Sequence, residues 1–155
     1  MSSDELTLRE ADHADVLTVM AMGEPASLNN WTESDFNSVL DGDTGRVMLA
    51  YTDNVLVGFV ASSSVIDEVT LLNVAVHRRY RRRGIARVLI RDMLAQRQAN
   101  GAGRCFLEVR DSNRSARALY ESLGFVVDGM RPDYYRREEG REDAVLMSLR
   151  LEVAQ

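Results

Sequence analysis

The chain has no lysine, one cysteine and only two histidines among its 155 residues. Cys105 alone cannot close an internal disulfide, and no Cys/His cluster has the spacing of a zinc site. With His13 and His77 as the available imidazoles, Ser-His-Asp catalysis is disfavoured. No run reaches the roughly 18 apolar residues of a bilayer-spanning helix, and the acidic first ten residues lack the apolar segment of a secretory signal. We therefore expect a cytoplasmic protein without a metal site or a membrane association.

The basic charge is concentrated in one short segment. All nineteen basic residues are arginine, and seven of them lie from His77 to Arg91 with no acid among them. The rest of the chain has twelve arginines against twenty-four carboxylates, a balance of −12. Such a protein is not expected to bind nucleic acid directly, and the pattern favours one local anion site. A solvated basic turn and a non-catalytic RNA-binding module remain as alternatives.

The hydrophobic pattern predicts one domain, residues 1–155, of the mixed α/β (α+β) class. The expected order is β-α-α-β-β-β-α-β-α-β-β, a mixed sheet of six to seven strands flanked by about four helices. Strand-to-helix crossovers follow Val76 and Val109, so part of the sheet should be parallel. The last two strands are expected at Phe125–Asp128 and Ala144–Leu151, with a polar, tyrosine-bearing loop between them.

The clearest helix begins at a turn rich in arginine. Ile85 and Leu89 belong to its apolar stripe, which extends through Gly84–Asn100 after the apolar run Glu68–Val76. Free N–H groups at a helix start and the helix dipole form a ready phosphate cradle, and small residues let a diphosphate approach. The chain lacks both the Walker lysine and Gly-x-Gly-x-x-Gly. The remaining pattern, Arg-x-x-Gly-x-Ala, occupies Arg81–Ala86.

This loop resembles that of the GNAT superfamily of acetyl-CoA-dependent N-acetyltransferases, and the resemblance extends from about Glu5 to Leu149. Within the superfamily the chain is most similar to the RimI group, which acetylates the N-terminal alanine of a small-subunit ribosomal protein. Four stretches carry that similarity: Asp67–Val76, Leu107–Asn113, Ala118–Phe125 and Gly140–Ala144. The resemblance implies the GNAT fold, acetyl-CoA as co-substrate without a metal, and direct transfer to the N-terminal peptide of a ribosomal protein. We expect a monomer or a weak dimer.

The resemblance also implies roles for individual residues. Glu108 matches the proton acceptor and Tyr120 the general acid. Trp31, Tyr134 and Tyr135 would line the acceptor site, the two tyrosines together with Glu138–Glu139 in the loop between the last strands. Packing on the second helix is the alternative for Trp31, and a solvated loop is the alternative for the others. The cofactor would be held by backbone amides, the arginine-bearing turn and one helix cap: Val74, Ala75, Val76, Arg82, Arg83, Gly84, Ile85, Ala86, Arg87 and Asn113.

Strand alternation supports the role of Glu108. Glu108 shares a strand face with Phe106, and apolar neighbours would desolvate the carboxylate and raise its proton affinity. Pairing with Arg110 or Arg114 is the alternative. Tyr120 lies in an apolar helical stripe, so core packing competes with catalysis there.

The acceptor is the least determined part of this prediction. Arg136 stands where RimI-like chains have proline, Leu28–Asn30 lacks a proline common beside Trp31, and Ala86 replaces glycine in the loop. About a tenth of an α-amine with a reference pKa near 8 is neutral at pH 7, which suits catalysis by one glutamate. Lysine side chains and small-molecule amines remain alternative acceptors.

Overall fold

A mixed β-sheet organises the part of the chain that this computed structural model describes, residues 5–23, 28–137 and 140–151. Seven strands and four α-helices lie within these ranges, in the order that the sequence pattern predicts. The elements are β1 (Thr7–Glu10), α1 (Val16–Met20), α2 (Glu33–Asp41), β2 (Gly45–Thr52), β3 (Val55–Val65), β4 (Glu68–Val76), α3 (Ile85–Ala99), β5 (Arg104–Arg110), α4 (Arg114–Ser122), β6 (Val126–Arg137) and β7 (Gly140–Arg150). Among them, no helix is long and apolar enough to cross a membrane.

The strand order is β1-β2-β3-β4-β5-β7-β6. Within the described sheet, β4 and β5 are parallel and the other neighbouring pairs are antiparallel. Helix α3 makes the crossover between the two parallel strands, as expected from the sequence. Helix α4 leads from β5 to the edge strand β6, and β7 then returns between them. The predicted mixed sheet flanked by helices is confirmed.

The two parallel strands separate soon after they begin to pair. Their ladder extends only from Glu68–Arg104 to Thr70–Phe106. Beyond it, residues 71–76 of β4 continue along β3 alone, while β5 continues along β7. The divergence opens a gap in the middle of the sheet.

A β-bulge on β4 lies beside this gap. Leu71 pairs with Ser62 and Asn73 with Ala61, so Leu72 is an extra residue. One extra residue exchanges the two faces of a strand from that point on. Leu71 therefore packs in the same core as Val76, whereas Ala75 packs in the other.

Each face of the sheet has its own hydrophobic core. The long helix α3 covers one face with the stripe predicted from its sequence, in which Leu89 and Ile90 are fully buried. Helices α1 and α2 cover the other face, where Phe36 and Phe59 pack edge to face with ring centroids 5.0 Å apart. The two cores hold the diverging strands apart from both sides.

The expected loop between the last two strands is wrong. Strand β6 continues to Arg137 and β7 begins at Gly140, so Tyr134 and Tyr135 lie on a strand of a long hairpin. Gly129, Pro132 and several charged residues break the alternation that identifies a strand in the sequence. An edge strand tolerates them because it needs a partner on one side only. Glu138–Glu139 lie outside the described residues.

Candidate active site

The start of α3 presents free backbone N–H groups. Its N-cap is Gly84, which has a left-handed φ of +78° and no side chain to cap the helix. Arg82, two residues earlier, also has a positive φ, +65°. The helical hydrogen bonds begin with Val88 N–H donating to the Gly84 carbonyl at 3.1 Å. The first-turn N–H groups, on residues 85–87, therefore point out of the helix end and suit an anion.

These groups border a cleft of about 690 Å³ between β4, α3 and α4. Every predicted cofactor-binding residue lines it except Arg83. The Arg83 guanidinium lies 5.1 Å from the ring centroid of Tyr80 instead. Arg87 donates from Nη2 to Ser122 Oγ at 2.8 Å, which ties the start of α3 to the end of α4. Asn113 caps α4 by accepting from Ala116 N–H at 3.2 Å, and it also faces the cleft.

Strand β4 directs two amides toward the same cleft. His77 N–H donates to the Val57 carbonyl at 2.7 Å, and Ala75 lies opposite Phe59. Because bonding alternates along an antiparallel pair, the backbone groups of Val74 and Val76 point away from β3. Side chains already hydrogen-bond the two carbonyls on that side, whereas the N–H groups face the cleft.

The donors to those carbonyls are Asn29 Nδ2, 3.2 Å from the Val74 oxygen, and Arg81 Nε, 3.1 Å from the Val76 oxygen. Asn29 Nδ2 also donates to Asn73 Oδ1 at 2.5 Å, and Asn73 Nδ2 donates to the Leu28 carbonyl at 3.1 Å. The bulged strand is thereby fastened to the turn before α2. Neither asparagine is predicted from the sequence to hold the strand in place. For Asn73 a signal exists, because it is a polar residue inside the apolar run Glu68–Val76.

A smaller cavity, about 230 Å³, lies in the gap between the diverging strands. Glu108 on β5, Tyr120 on α4 and Trp31 before α2 all line it, so the structure brings these three predicted residues together. Val74 and Asn113 line both this cavity and the larger cleft, so the two adjoin each other.

Tyr120 is buried in this cavity. Its side chain is 8% exposed, and its ring packs edge to face on Phe125 with a centroid separation of 5.9 Å. Burial, and to a smaller extent the neighbouring Tyr135, raises the pKa of Tyr120 to about 12. The phenol therefore keeps its proton throughout the neutral range.

Glu108 is not desolvated as its sequence context led us to expect. Its side chain is 34% exposed, and its Oε1 lies 3.3 Å from Nη1 of Arg131. The expected alternative partners, Arg110 and Arg114, are not those that the structure gives it. Arg110 instead donates to Glu142 Oε1 at 3.1 Å. Arg131 lies on β6, which β7 separates from β5 in the sheet. A contact between these two strands leaves no local pattern in the sequence from which it could be predicted.

A third cavity, about 640 Å³, lies on the other side of Glu108. Glu108 and Tyr135 line both this cavity and the central one, and Tyr134 lines the third. The two tyrosines carry stacked guanidinium groups, Arg110 at 4.3 Å over Tyr135 and Arg131 at 4.6 Å over Tyr134. The cavity is therefore aromatic, with a carboxylate at its inner end.

Trp31 lies between helix α2 and the central cavity. Its ring packs edge to face on Phe36 of α2 at 5.0 Å, and its side chain also lines the central cavity.

Glu142 connects the acceptor-side tyrosines to the start of α4. Besides the bond from Arg110, its Oε2 accepts from Ser112 N–H at 3.2 Å. The hydrogen bond from Ser112, followed by that from Arg110, holds the pKa of Glu142 below its usual value. The Gly140–Ala144 motif contained this residue, but nothing in the motif indicated its partners.

The remaining reactive side chains lie outside these cavities. Cys105 is fully buried and belongs to the core. Burial raises the pKa of its thiol to about 12. The described ranges contain no group of three or more side chains that could hold a metal ion.

The chain belongs to the acetyltransferase (GNAT) family, whose sequence pattern matches residues 16–125. It is thus an N-acetyltransferase, as predicted. It is 34% identical over 143 residues to the [ribosomal protein bS18]-alanine N-acetyltransferase of Escherichia coli K12, covering 92% of this chain and 96% of that protein. The crystal structure of the ribosomal-protein-S18-alanine N-acetyltransferase from Escherichia coli superposes with a TM-score of 0.88 at 31% identity, over 97% of each chain.

A more distant likeness shows the fold alone. The structure of yncA, a putative acetyltransferase from Salmonella typhimurium solved with its cofactor acetyl-CoA, has a TM-score of 0.81 at 19% identity. It covers 97% of this chain and 96% of that one.

Proposed function

We propose that this protein acts as a single domain that transfers an acetyl group from acetyl-CoA to the N-terminal α-amine of a ribosomal protein. One observation carries the proposal. Glu108 and Tyr120 line a single cavity that adjoins the cleft at the start of α3 on one side and an aromatic cavity on the other. The Escherichia coli relative is an N-acetyltransferase of a ribosomal-protein alanine, which supports this class of acceptor.

The larger cleft fits acetyl-CoA, which supplies an activated acetyl thioester when it is bound. The first-turn N–H groups of α3 suit the diphosphate, and Arg82 and Arg87 add positive charge beside it. The N–H groups of Val74 and Val76 suit the carbonyl groups of an extended chain or of the thioester. Hydrogen bonds to the thioester oxygen would stabilise the negative charge that develops there.

The two proposed catalytic residues divide the proton transfers. The amine nitrogen bonds to the acetyl carbonyl carbon, and the bond from that carbon to sulfur breaks. Glu108 accepts the proton that the nitrogen loses, and Tyr120 donates a proton to the departing sulfur. Exchange with water then restores both groups. A buried phenol suits this role because it holds its proton until the sulfur becomes basic.

The test uses purified protein, acetyl-CoA and a peptide that begins with alanine, with release of free thiol as the measurement. We expect Glu108→Gln and Tyr120→Phe to lower kcat by about 100- to 10,000-fold, the usual worth of general acid–base catalysis. Glu5→Gln and Tyr51→Phe, which lie outside the three cavities, provide matched controls with unchanged kcat. Full turnover in both cavity variants would contradict the proposed roles.

A further inference from the structure

Arg131 connects the proposed base to the aromatic acceptor cavity. Its guanidinium is 3.3 Å from the Glu108 carboxylate and 4.6 Å from the ring centroid of Tyr134. Its side chain is 48% exposed and lines the same 640 Å³ cavity as both partners. An acceptor amine that reaches Glu108 through this cavity therefore meets Arg131.

A fastened bulge on β6 holds Arg131 in this position. Arg131 pairs with Ala144, and the register then shifts before pairing resumes at Tyr135. Pro132 has no N–H to donate, and Asp133 has a left-handed φ of +53°. The N–H of Asp133 donates to Asp143 Oδ1 at 3.0 Å, and Arg141 Nη1 lies 3.4 Å from the Asp133 carbonyl. These contacts with β7 hold the bulge in place within the β6–β7 hairpin.

Among the described residues, Arg131 is a cation in ion-pair contact with Glu108, and other charged groups lie nearby. Strand β5 also supplies Arg110, which pairs with Glu142 and stacks on Tyr135. Strand β6 supplies Asp128, which lines the same cavity. Because a guanidinium stays protonated at any physiological pH, Arg131 keeps its positive charge beside the Glu108 carboxylate throughout that range.

We propose that Arg131 is a positioning residue that makes the site select α-amines over lysine ε-amines. The inference rests on the proposed role of Glu108. An acceptor that arrives as an ammonium must compete with Arg131 for one carboxylate, whereas a neutral amine needs only to deliver its proton. At pH 7 about one in ten α-amines is neutral, against about one in 2,500 lysine amines. Arg131 therefore penalises lysine far more than an N-terminus.

The test compares two peptides of the same sequence apart from the reacting group. One has a free N-terminal alanine and no lysine, and the other has an acetylated N-terminus and one lysine. The ratio of their kcat/KM values is measured for the wild type, Arg131→Met and Arg131→Lys. We expect Arg131→Met to lower the α-to-ε ratio at least about tenfold, mainly through a lower KM for the lysine peptide. Arg131→Lys should keep the wild-type ratio within about threefold, because it keeps the charge.

Arg46→Met is the matched control, since Arg46 faces a carboxylate, Glu10, at 3.7 Å, and it lines none of the three cavities. Calorimetric binding of CoA checks that every variant is folded. A purely structural role predicts an equal loss with both peptides and an unchanged ratio, which would overturn the inference. The same ratio in Arg131→Met and Arg131→Lys would overturn it too. A wild type inactive toward the alanine peptide would instead refute the proposed function, and the inference with it.

Discussion

Two side chains of opposite chemistry share the central cavity, and their surroundings differ accordingly. Glu108 is partly exposed, and its carboxylate lies 3.3 Å from the guanidinium of Arg131. Tyr120 is buried beside Phe125, and burial favours the protonated phenol. Environments that separate a proton acceptor from a proton donor are what acid–base catalysis requires. At the scale of single residues, the cavity is therefore suited to moving two protons in one turnover.

Gly84 provides a residue-scale test of the cofactor cleft. Gly84→Ala adds a methyl group in open space at the start of α3, whereas Gly101→Ala adds one in open space beyond its end. Both glycines have positive φ, so each variant should lose about 1–2 kcal/mol of unfolding free energy. We expect only Gly84→Ala to weaken CoA binding, by about tenfold or more in a calorimetric titration. Equal affinities in the two variants would show that the start of α3 does not contact the diphosphate.

Some residues of the site could be predicted from their neighbours in the sequence and others could not. Asn113 as a helix cap and the placement of Glu108 on the same face of β5 as Phe106 follow from local patterns, because caps and strand alternation depend on adjacent residues. The exposure of Glu108 does not follow from them. The partner of Glu108 depends on the register of β7 between β5 and β6. That register places Arg131 beside Glu108 across 23 positions of sequence, and no local pattern contains it.

At the scale of elements, the bulge on β4 determines which groups face the gap. Without the extra residue Leu72, the residues after it would turn to the opposite cores. In the bulged strand, Asn73 occupies a buried position, and its side chain donates a hydrogen bond to the turn that ends at Trp31. The apolar composition of Glu68–Val76 predicts a central strand but carries no sign of a bulge. A bulge depends on the register with β3, so this part of the site required the structure.

Asn73→Ala tests whether this connection shapes the acceptor side. The variant leaves the buried Leu28 carbonyl without its donor and Asn29 without one acceptor, which should cost about 1–3 kcal/mol in urea unfolding. We also expect a KM for the peptide several-fold higher, because the turn carrying Trp31 is released. Asn100→Ala, at an exposed position after α3, should change unfolding free energy by less than about 0.5 kcal/mol. An unchanged KM in Asn73→Ala would show that the turn is held by other contacts.

At the scale of the whole molecule, the absence of lysine simplifies its response to alkali. Burial raises the pKa of Cys105 from 9.0 to about 12 and that of Tyr120 from 10.0 to about 12. Above pH 9 the unfolded chain loses the thiol proton while the folded chain keeps it, so rising pH favours unfolding. The phenol adds a second contribution above pH 10. In most proteins lysines also titrate in this range, but here they are absent.

Urea unfolding at a series of pH values measures this effect. The unfolding free energy of the wild type should fall by about 1 kcal/mol between pH 9 and pH 10 through Cys105. Cys105→Ala should be nearly insensitive to pH over that interval and should regain a slope above pH 10 through Tyr120. Parallel slopes for the two proteins between pH 9 and pH 10 would show that the thiol is not shielded from water.

The position of β7 has a consequence for biosynthesis. A ribosome delivers the chain from its N-terminus, so β5 and β6 emerge before the strand that separates them. Until β7 has paired with β5, one edge of β5 has unpaired peptide groups that can pair with strands of other chains. Glu108 and Arg131 come together only when β7 inserts. While β7 is still inside the ribosome, Glu108 lacks Arg131 as its partner, so we expect the selectivity of the site to be established only after the hairpin has been released.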